Sequence, residues 1–192
     1  KKKVFENSKK NPISTYAKAN YNAEKKIFSL KNKKFKVNAL RNATLYGFSN
    51  VMRLDLVINI FVFNLINKKK VFVDGDGSQF RPFISINDIC KIYNVLVKNK
   101  FMPSFICNLV SFNSKISFIA EKICKTLNYN LNLIQYKKNF SDKRNYIVGS
   151  KNFKKYFGAK FKFSKFEKEI INLKKNLKRF KINFNINTIR MK

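Results

Sequence analysis

The chain has 192 residues, with 42 Lys and Arg against 10 Asp and Glu, and 45% of its residues are hydrophobic. This length and apolar content suit one globular domain, or one and a half, and exclude a disordered tail. The net charge of +32 comes almost entirely from lysine, because only 6 of the 42 basic residues are Arg. Lysine, Asn (27 residues) and Phe (21 residues) are typical products of A/T-rich codons, and the lysines are spread along the whole chain. Base composition therefore accounts for the charge, and we expect no specific nucleic-acid partner.

The absence of histidine excludes Ser-His-Asp catalysis, a His general base and His-ligated zinc. Acid–base chemistry is left to Tyr, Lys or a carboxylate. Cys90, Cys107 and Cys124 are an odd number without a CxxC pair, so we expect no disulfide framework, no metal site and a reducing cytoplasm. The longest apolar run, residues 54–66, is interrupted by polar residues and too short to cross a bilayer. No apolar stretch follows the first lysines as in a signal peptide, so we expect no membrane association.

Helical and strand patterns alternate along the chain, which predicts an α/β protein. In chain order the predicted elements are a helix over 14–31, a strand over 35–41, a helix over 54–67, strands over 70–73 and 83–86, a helix over 89–98, a strand over 104–110, a helix over 116–127, strands near 131–135 and 146, and helices near 150–157 and 165–180.

Local signals mark the boundaries of several of these elements. Ser14 or Thr15 is the predicted cap of the first helix, and the strand over 35–41 is predicted to be buried. The sequence DGDG at residues 74–77 predicts a tight turn, for which we expect its two glycines to serve alone. Asp88 is predicted to cap the helix over 89–98. Residues 181–192 are predicted to be a frayed tail.

The chain contains no glycine-rich phosphate-binding loop. Its five glycines lie at positions 47, 75, 77, 149 and 158 and form neither GxGxxG nor GxxxxGK. Without a resemblance to a known family, the sequence predicts only an α/β domain.

Four blocks of sequence, in order, carry such a resemblance. They are PISTYA at residues 12–17 with AE at 23–24, LRNATLYG at 40–47, DGDGSQFRPFISINDI at 74–89, and DKRNY at 142–146 followed by SK at 150–151 and FG at 157–158. Together they resemble the extended short-chain dehydrogenase/reductase family, and in particular its NAD-dependent nucleotide-sugar epimerases and 4,6-dehydratases. Each block alone is weakly specific, whereas four in register are strongly so.

The resemblance implies a Rossmann-type fold represented by its C-terminal part. Residues 1–42 would end the dinucleotide-binding domain, whose Gly-rich half is absent from this sequence. Residues 43–180 would be mostly the substrate-binding domain, with residues 88–110 returning to the first domain. The family implies NAD or NADP as cofactor, bound mainly by the absent N-terminal half. It also implies a nucleotide-sugar substrate, and it leaves open a homodimer or a separate polypeptide for the missing half.

By the same resemblance, Tyr16 would be the general acid/base. The family places a lysine one helical turn later, which steadies the cofactor ribose and lowers the phenol pKa. This chain has Asn20 at that position. A Y-x-x-x-K search also finds Tyr21 and Lys25, but that register would displace the flanking Pro12, Ser14 and AE pair, so we favour Tyr16 with Asn20.

Arginine is a second signal, because in this lysine-rich chain it marks candidate sites of bidentate anion recognition. The resemblance implies that Arg81 binds the substrate diphosphate and that Arg144 is a second anion contact; a surface salt bridge is the structural alternative for Arg81. Thr44 would contact the sugar nucleotide. Arg41, followed by Asn42 and Ala43, would lie beside the cofactor, and Arg41 has a structural role as its alternative.

The sequence therefore predicts an NAD(P)-dependent nucleotide-sugar epimerase or dehydratase, in which Tyr16 shuttles a proton while the cofactor exchanges a hydride. Two alternatives remain. One is a non-catalytic descendant that binds a nucleotide sugar or a protein partner. The other is a lysine-rich module that binds nucleic acid through phosphate contacts, against which the lack of Trp and of an RNA-binding motif counts.

Overall fold

The computed structural model describes residues 3–99, 101–137, 144–158 and 160–179. Helices and strands alternate along these residues, as the sequence predicts. The helices are α1 (Thr15–Ser29), α2 (Val57–Lys68), α3 (Ile86–Lys98), α4 (Ile116–Thr126), α5 (Phe153–Phe157) and α6 (Phe166–Arg179), with a 3-10 helix at Leu131–Leu133. The strands are β1 (Lys3–Val4), β2 (Asn38–Asn42), β3 (Thr44–Tyr46), β4 (Val71–Asp74), β5 (Phe80–Ser85), β6 (Phe105–Leu109), β7 (Phe112–Lys115), β8 (Ile134–Lys137) and β9 (Ile147–Val148).

Most strand pairs are parallel and join segments distant in sequence. Strand β2 pairs with β6, β4 with β8, and β1 with β9, all in parallel. Strand β5 lies between β3, which is parallel to it, and β7, which is antiparallel. Parallel pairing requires crossover connections, and here the connections contain helices. Strands β2 and β3 are separated only by Ala43 but belong to two different sheets.

The buried hydrophobic residues form two cores. The first packs α2, α4 and α6 around β4, with Val62, Leu65 and Leu173 fully buried. The second lies between α3, β6 and α5, where the rings of Phe105 and Tyr156 stack with centroids 3.9 Å apart. In contrast, α1 buries none of its residues and packs mainly along β2.

Several predicted elements form for the predicted reason. Ser14 is the N-cap of α1, and its Oγ accepts a hydrogen bond from the backbone N–H of Ala17 at 3.2 Å. The helices predicted over 54–67 and 116–127 are present as α2 and α4. Strands β1, β3 and β7 were not predicted, because strands of two to four residues carry too little alternation to be recognised.

The predicted buried strand over 35–41 is wrong at its start and in its burial. Strand β2 begins at Asn38, and Phe35 is 50% exposed. An Asn32-centred turn precedes the strand, since the Oδ1 of Asn32 accepts from the backbone N–H of Lys34 and Phe35. The central residues of β2 are only partly buried.

The predicted cap at Asp88 is also wrong. The N-cap of α3 is Ser85, whose Oγ accepts from the Asp88 backbone N–H at 3.1 Å. Asp88 lies in the first helical turn and is completely buried, and its carboxylate accepts from the N–H and hydroxyl of Ser164 and from Lys91. Asp88 therefore ties α3 to the segment before α6, and the hydroxyl of Ser85 leaves it free to do so.

The turn at residues 74–77 is present, but Gly77 serves more than the turn. Its φ is +67°, and a Cβ there would lie 2.8 Å from the backbone nitrogen of Ser117. That nitrogen donates to the Gly77 carbonyl at 3.0 Å, so the start of α4 packs directly on the turn. The predicted tail over 181–192, and Asp142 and Lys143 of the fourth block, lie outside the described residues.

Candidate active site

Three adjoining depressions contain the residues that the resemblance assigns to catalysis, the cofactor or the substrate. The tyrosine cleft, of about 590 Å³, is lined by Tyr16, Arg41, Asn42, Ala43 and Thr44 together with Arg53, Leu56 and Tyr146. The arginine cleft, of about 680 Å³, is lined by Arg81, Arg144, Asn64, Lys68, Phe72 and Lys137 and shares Thr44, Arg53, Leu56 and Tyr146 with the first. The helix groove, of about 770 Å³, runs between α1 and β2 and includes Tyr16, Asn20, Arg41 and Asn42.

Tyr16 stands near the start of α1 at the junction of the tyrosine cleft and the helix groove. Its side chain is 79% exposed, so the phenol is available to a ligand and is not packed into a core. Asn20 lies one turn later on the same helix and lines only the groove. Its Nδ2 donates to the carbonyl of Tyr16 at 2.9 Å. The amide therefore bonds to its own helix and brings no positive charge to the phenol.

The other possible tyrosine–lysine pair is placed differently. Tyr21 lines the helix groove but not the tyrosine cleft, and the Nζ of Lys25 lies 4.5 Å from the centroid of the Tyr21 ring. Only Tyr16, of these two tyrosines, reaches the cleft that continues toward the arginines.

Arg41 is held by two protein partners. Its guanidinium binds the Glu24 carboxylate through Nε at 2.7 Å and Nη2 at 2.6 Å, and its Nη1 donates to the Glu6 carbonyl at 2.9 Å. Hydrogen bonding to Arg41 lowers the pKa of Glu24, and the same contact raises the pKa of Arg41. The fork joins α1 to β2, which supports the structural alternative for Arg41 although the side chain also lines the cleft.

Asn42, Ala43 and Thr44 lead from the sheet that contains β2 to the sheet that contains β3. The backbone N–H of Ala43 donates to the Leu109 carbonyl at 2.9 Å, which extends the β2–β6 pairing by one residue. Asn42 is exposed on the tyrosine cleft. Thr44 begins β3, pairs with Phe83 and lines both clefts. A ligand that spans the two clefts would pass Thr44.

The structure brings Arg81 and Arg144 together, although they are 63 residues apart. The Nη1 of Arg81 donates to the carbonyls of Phe80 and Arg144, and its guanidinium lies 5.6 Å from the centroid of the Tyr146 ring. Both arginine side chains line the arginine cleft. Two guanidinium groups, with Lys68 and Lys137 on the same cleft, outnumber the lining carboxylates of Asp55 and Asp74 and give the cleft the net positive charge that an anion such as a diphosphate requires.

Arg53 is a site residue to which the resemblance assigns no role. It lines both clefts and forms a fork with Asp55, with distances of 3.1 Å and 2.6 Å. Hydrogen bonding to Asp55 raises the pKa of Arg53, and the neighbouring Tyr16 acts in the same direction. The scarcity of arginine in the chain is the sequence signal that could have identified Arg53.

Glu6 is a buried carboxylate that the sequence did not single out, and its neighbour Phe5 and its partner Asn108 line the tyrosine cleft. Its Oε1 accepts from the backbone N–H of Asn108 at 3.0 Å and from the hydroxyl of Ser150, and its Oε2 accepts from the backbone N–H of Lys151 at 3.0 Å. Burial alone would raise the pKa of Glu6, but these hydrogen bonds hold it below its ordinary value. Glu6 thereby joins β6 and the segment after β9 to the residues that precede α1.

Comparisons with known proteins identify the family of this chain. The model of the NAD dependent epimerase/dehydratase family matches residues 1–106, more than half of the chain. The chain therefore belongs to that family, as the four blocks predicted. No curated protein matches the sequence.

Solved structures share the fold over almost the whole chain. A dTDP-glucose 4,6-dehydratase from Bacillus anthracis in complex with NAD is 19% identical, with a TM-score of 0.80 over 99% of this chain and 60% of that one. A UDP-N-acetylglucosamine 4-epimerase from Methanobrevibacter ruminantium in complex with UDP-N-acetylmuramic acid is 21% identical, with a TM-score of 0.75 over 91% of this chain and 57% of that one. A UDP-glucose 4-epimerase from Thermotoga maritima with UDP-glucose is 20% identical, with a TM-score of 0.76 over 92% and 57%.

These likenesses confirm the predicted fold class, a portion of a Rossmann-type α/β fold of the extended short-chain dehydrogenase/reductase kind. The chain spans about 60% of the length of these solved structures. Among the described residues, no helix is both long and apolar enough to cross a membrane.

Proposed function

We propose that this chain forms the substrate-binding side of an NAD(P)-dependent nucleotide-sugar epimerase or dehydratase. The observation that carries the proposal is the continuity between the two clefts. An exposed phenol, Tyr16, opens onto a cleft that shares its lining with a second, arginine-lined cleft. A sugar at the phenol and a diphosphate at Arg81 and Arg144 would fit such a path, with Thr44 between them.

In this arrangement Tyr16 moves the proton. Its phenol oxygen accepts the proton of a sugar hydroxyl as that carbon is oxidised, and returns a proton when the sugar is reduced. Arg81 and Arg144 orient the substrate through its diphosphate, which holds the reacting hydroxyl near Tyr16. Thr44 offers one hydroxyl to the sugar or to the neighbouring phosphate.

NAD or NADP, when bound, supplies the hydride acceptor of this reaction. The residues present suit one end of that cofactor only. Tyr16 and Asn20 offer a phenol and an amide on one helix face for a ribose, beside Asn42 and Ala43, but the sequence has no Gly-rich loop for the cofactor diphosphate. We propose that residues beyond this sequence bind that diphosphate, on the same chain or on a separate polypeptide.

We also propose a domain organisation and a cellular compartment for this chain. The parallel pairing of β2 with β6 supports a return of residues 88–110 to the dinucleotide-binding domain, with residues 43–180 otherwise on the substrate side. The free cysteines are compatible with the reducing cytoplasm that we expect. A homodimer stays a prediction.

A second candidate function is a non-catalytic binder of nucleotide sugars. The observation that favours it is Asn20, whose amide is bound to the Tyr16 carbonyl and supplies no positive charge beside the phenol. Both candidates share the arginine cleft, so substrate binding alone does not separate them. Turnover does.

The experiment measures binding of UDP-glucose, dTDP-glucose, NAD and NADP to the chain by calorimetry, and then turnover after restoration of the coding sequence upstream. We expect the chain alone to bind a nucleotide sugar and neither dinucleotide tightly. We expect the completed protein to turn over a nucleotide sugar, with Tyr16→Phe abolishing turnover while binding is retained.

Each alternative has its own outcome. Substrate binding without turnover in any variant would establish the non-catalytic binder. Micromolar NAD binding by the chain alone would overturn the division of the cofactor site. Binding to random DNA that persists at moderate salt, with no nucleotide-sugar binding, would favour the nucleic-acid module.

A further inference from the structure

Asn64 carries a buried polar atom with no protein partner. It lies on α2, its residue is 7% exposed, and no group among the described residues donates a hydrogen bond to its Oδ1. A buried acceptor left unsatisfied destabilises the folded protein. Such a group is uncommon in a native protein, and a bound water, ion or ligand can supply the missing partner.

The other asparagines of α2 show that the helix does not require this arrangement. Asn59 is equally buried, but its Oδ1 accepts from the backbone N–H of Gly47 at 3.0 Å and its Nδ2 donates to the carbonyl of Arg53. The Nδ2 of Asn67 donates to the Phe63 carbonyl at 2.9 Å. Both therefore have structural partners, whereas the Oδ1 of Asn64 has none.

Asn64 lines the arginine cleft, on the side away from Tyr16. The cleft shares Leu56 with the tyrosine cleft, and Leu56 immediately precedes α2. Asn64 lies eight residues further, or about 12 Å along the helix axis. That separation is comparable with a sugar and a diphosphate in line, so a nucleoside bound beyond the phosphates would reach the part of α2 that contains Asn64.

The surroundings of Asn64 suit a flat, partly apolar group. Ile60, Phe61 and Phe72 line the same cleft, and Phe72 is only partly buried. An aromatic side chain can stack with a base, and an amide can offer an acceptor and a donor to the edge of that base. The terminal dihedral angle of Asn has a broad, two-fold distribution, so the amide can turn its oxygen toward a ligand at small cost.

We propose that Asn64 recognises the nucleobase of the substrate, with its Oδ1 accepting a hydrogen bond from the ring N–H of uracil or thymine. The proposal rests on the proposed function, because it assumes a nucleoside diphosphate in the arginine cleft. It assigns Asn64 a role in specificity and not in catalysis. The ligand's N–H supplies the partner that no described residue supplies to this oxygen.

The experiment measures the affinity of the chain and its Asn64→Leu variant for UDP and for UDP methylated at uracil N3. We expect the original chain to prefer UDP, and Asn64→Leu to weaken UDP binding roughly 5- to 100-fold, the range for leaving one buried donor unsatisfied. We expect the variant to bind the methylated and unmethylated ligands about equally. Asn64→Asp, which keeps an acceptor, should retain the preference for UDP.

Two further measurements separate recognition from a general effect on the fold. Asn64→Leu should not lower the melting temperature, because it removes an unsatisfied polar atom. The matched control Asn67→Leu, on the same helix, should leave UDP affinity unchanged. Unchanged UDP affinity in Asn64→Leu would overturn the role of Asn64 while leaving the proposed function intact. Failure of UDP, dTDP and their sugars to bind the original chain would overturn both.

Discussion

The buried carboxylate of Glu6 gives a stability prediction whose magnitude follows from its hydrogen bonds. In Glu6→Gln, the amide oxygen can keep the two bonds at the Oε1 position, from Asn108 and Ser150, but the new NH2 faces the backbone N–H of Lys151. This partly buried donor loses its acceptor, which costs up to about 1–3 kcal/mol. The two remaining bonds lose their charge and about 1 kcal/mol each. We expect a total loss of about 3–5 kcal/mol, a large part of the stability of a domain.

Urea denaturation at neutral pH measures this loss directly. The matched control is Glu167→Gln, because Glu167 forms a 2.8 Å ion pair with Lys122 at the surface, and such pairs contribute less than about 1 kcal/mol. If Glu6→Gln lowers the free energy of unfolding no more than the control does, Glu6 does not join β6 and the segment after β9 to the residues before α1.

The same carboxylate sets a pH dependence. Because the pKa of Glu6 is lowered on folding from its ordinary value of 4.5, the unfolded chain binds more protons than the native protein below that value. The stabilisation is therefore complete above pH 4.5 and is lost as the pH falls through the folded pKa. The difference in unfolding free energy between the original chain and Glu6→Gln should narrow in that acidic range. A constant difference would contradict a pKa of Glu6 that is lowered on folding.

Three other predictions concern the site and the turn beside it. Asn20→Lys in the completed protein should raise turnover and move the pH–rate rise to lower pH, because an ammonium one turn from Tyr16 stabilises the phenolate; an inert variant would argue for the Tyr21 register. Arg81→Lys should weaken UDP-glucose binding by roughly 1.5–3 kcal/mol in calorimetry with the melting temperature unchanged, whereas retained affinity with a lower melting temperature would make the residue structural. Gly77→Ala should lower the melting temperature more than Gly158→Ala, since both residues have positive φ but only Gly77 would place a Cβ against backbone; equal losses would exclude that contact.

Most of the helices and the family could be predicted from the sequence, because both are recognised from the residues within short segments. The cap at Ser14, the apolar run of α2 and the four blocks are each contained in short segments. Short strands such as β3 were not predicted, because a few residues do not distinguish a strand from a loop. Arg81 and Arg144 were predicted as a pair only through the family resemblance.

The tertiary structure decided the roles that depend on residues distant in sequence. Asp88 lies where the sequence predicts a helix cap, but Ser85 is the cap. The buried carboxylate of Asp88 instead accepts a hydrogen bond from the backbone N–H of Ser164, 76 residues away. Nothing in the sequence around Glu6 distinguishes it from a surface carboxylate, because the partners that bury it lie 102 and 145 residues away. Asn64 is one of 27 asparagines, and only the packing of α2 reveals that its oxygen is buried beside a cleft. Local pattern determines where a helix begins and ends, whereas burial and hydrogen-bond partners arise when distant segments meet, so these three roles could be read only from the folded chain.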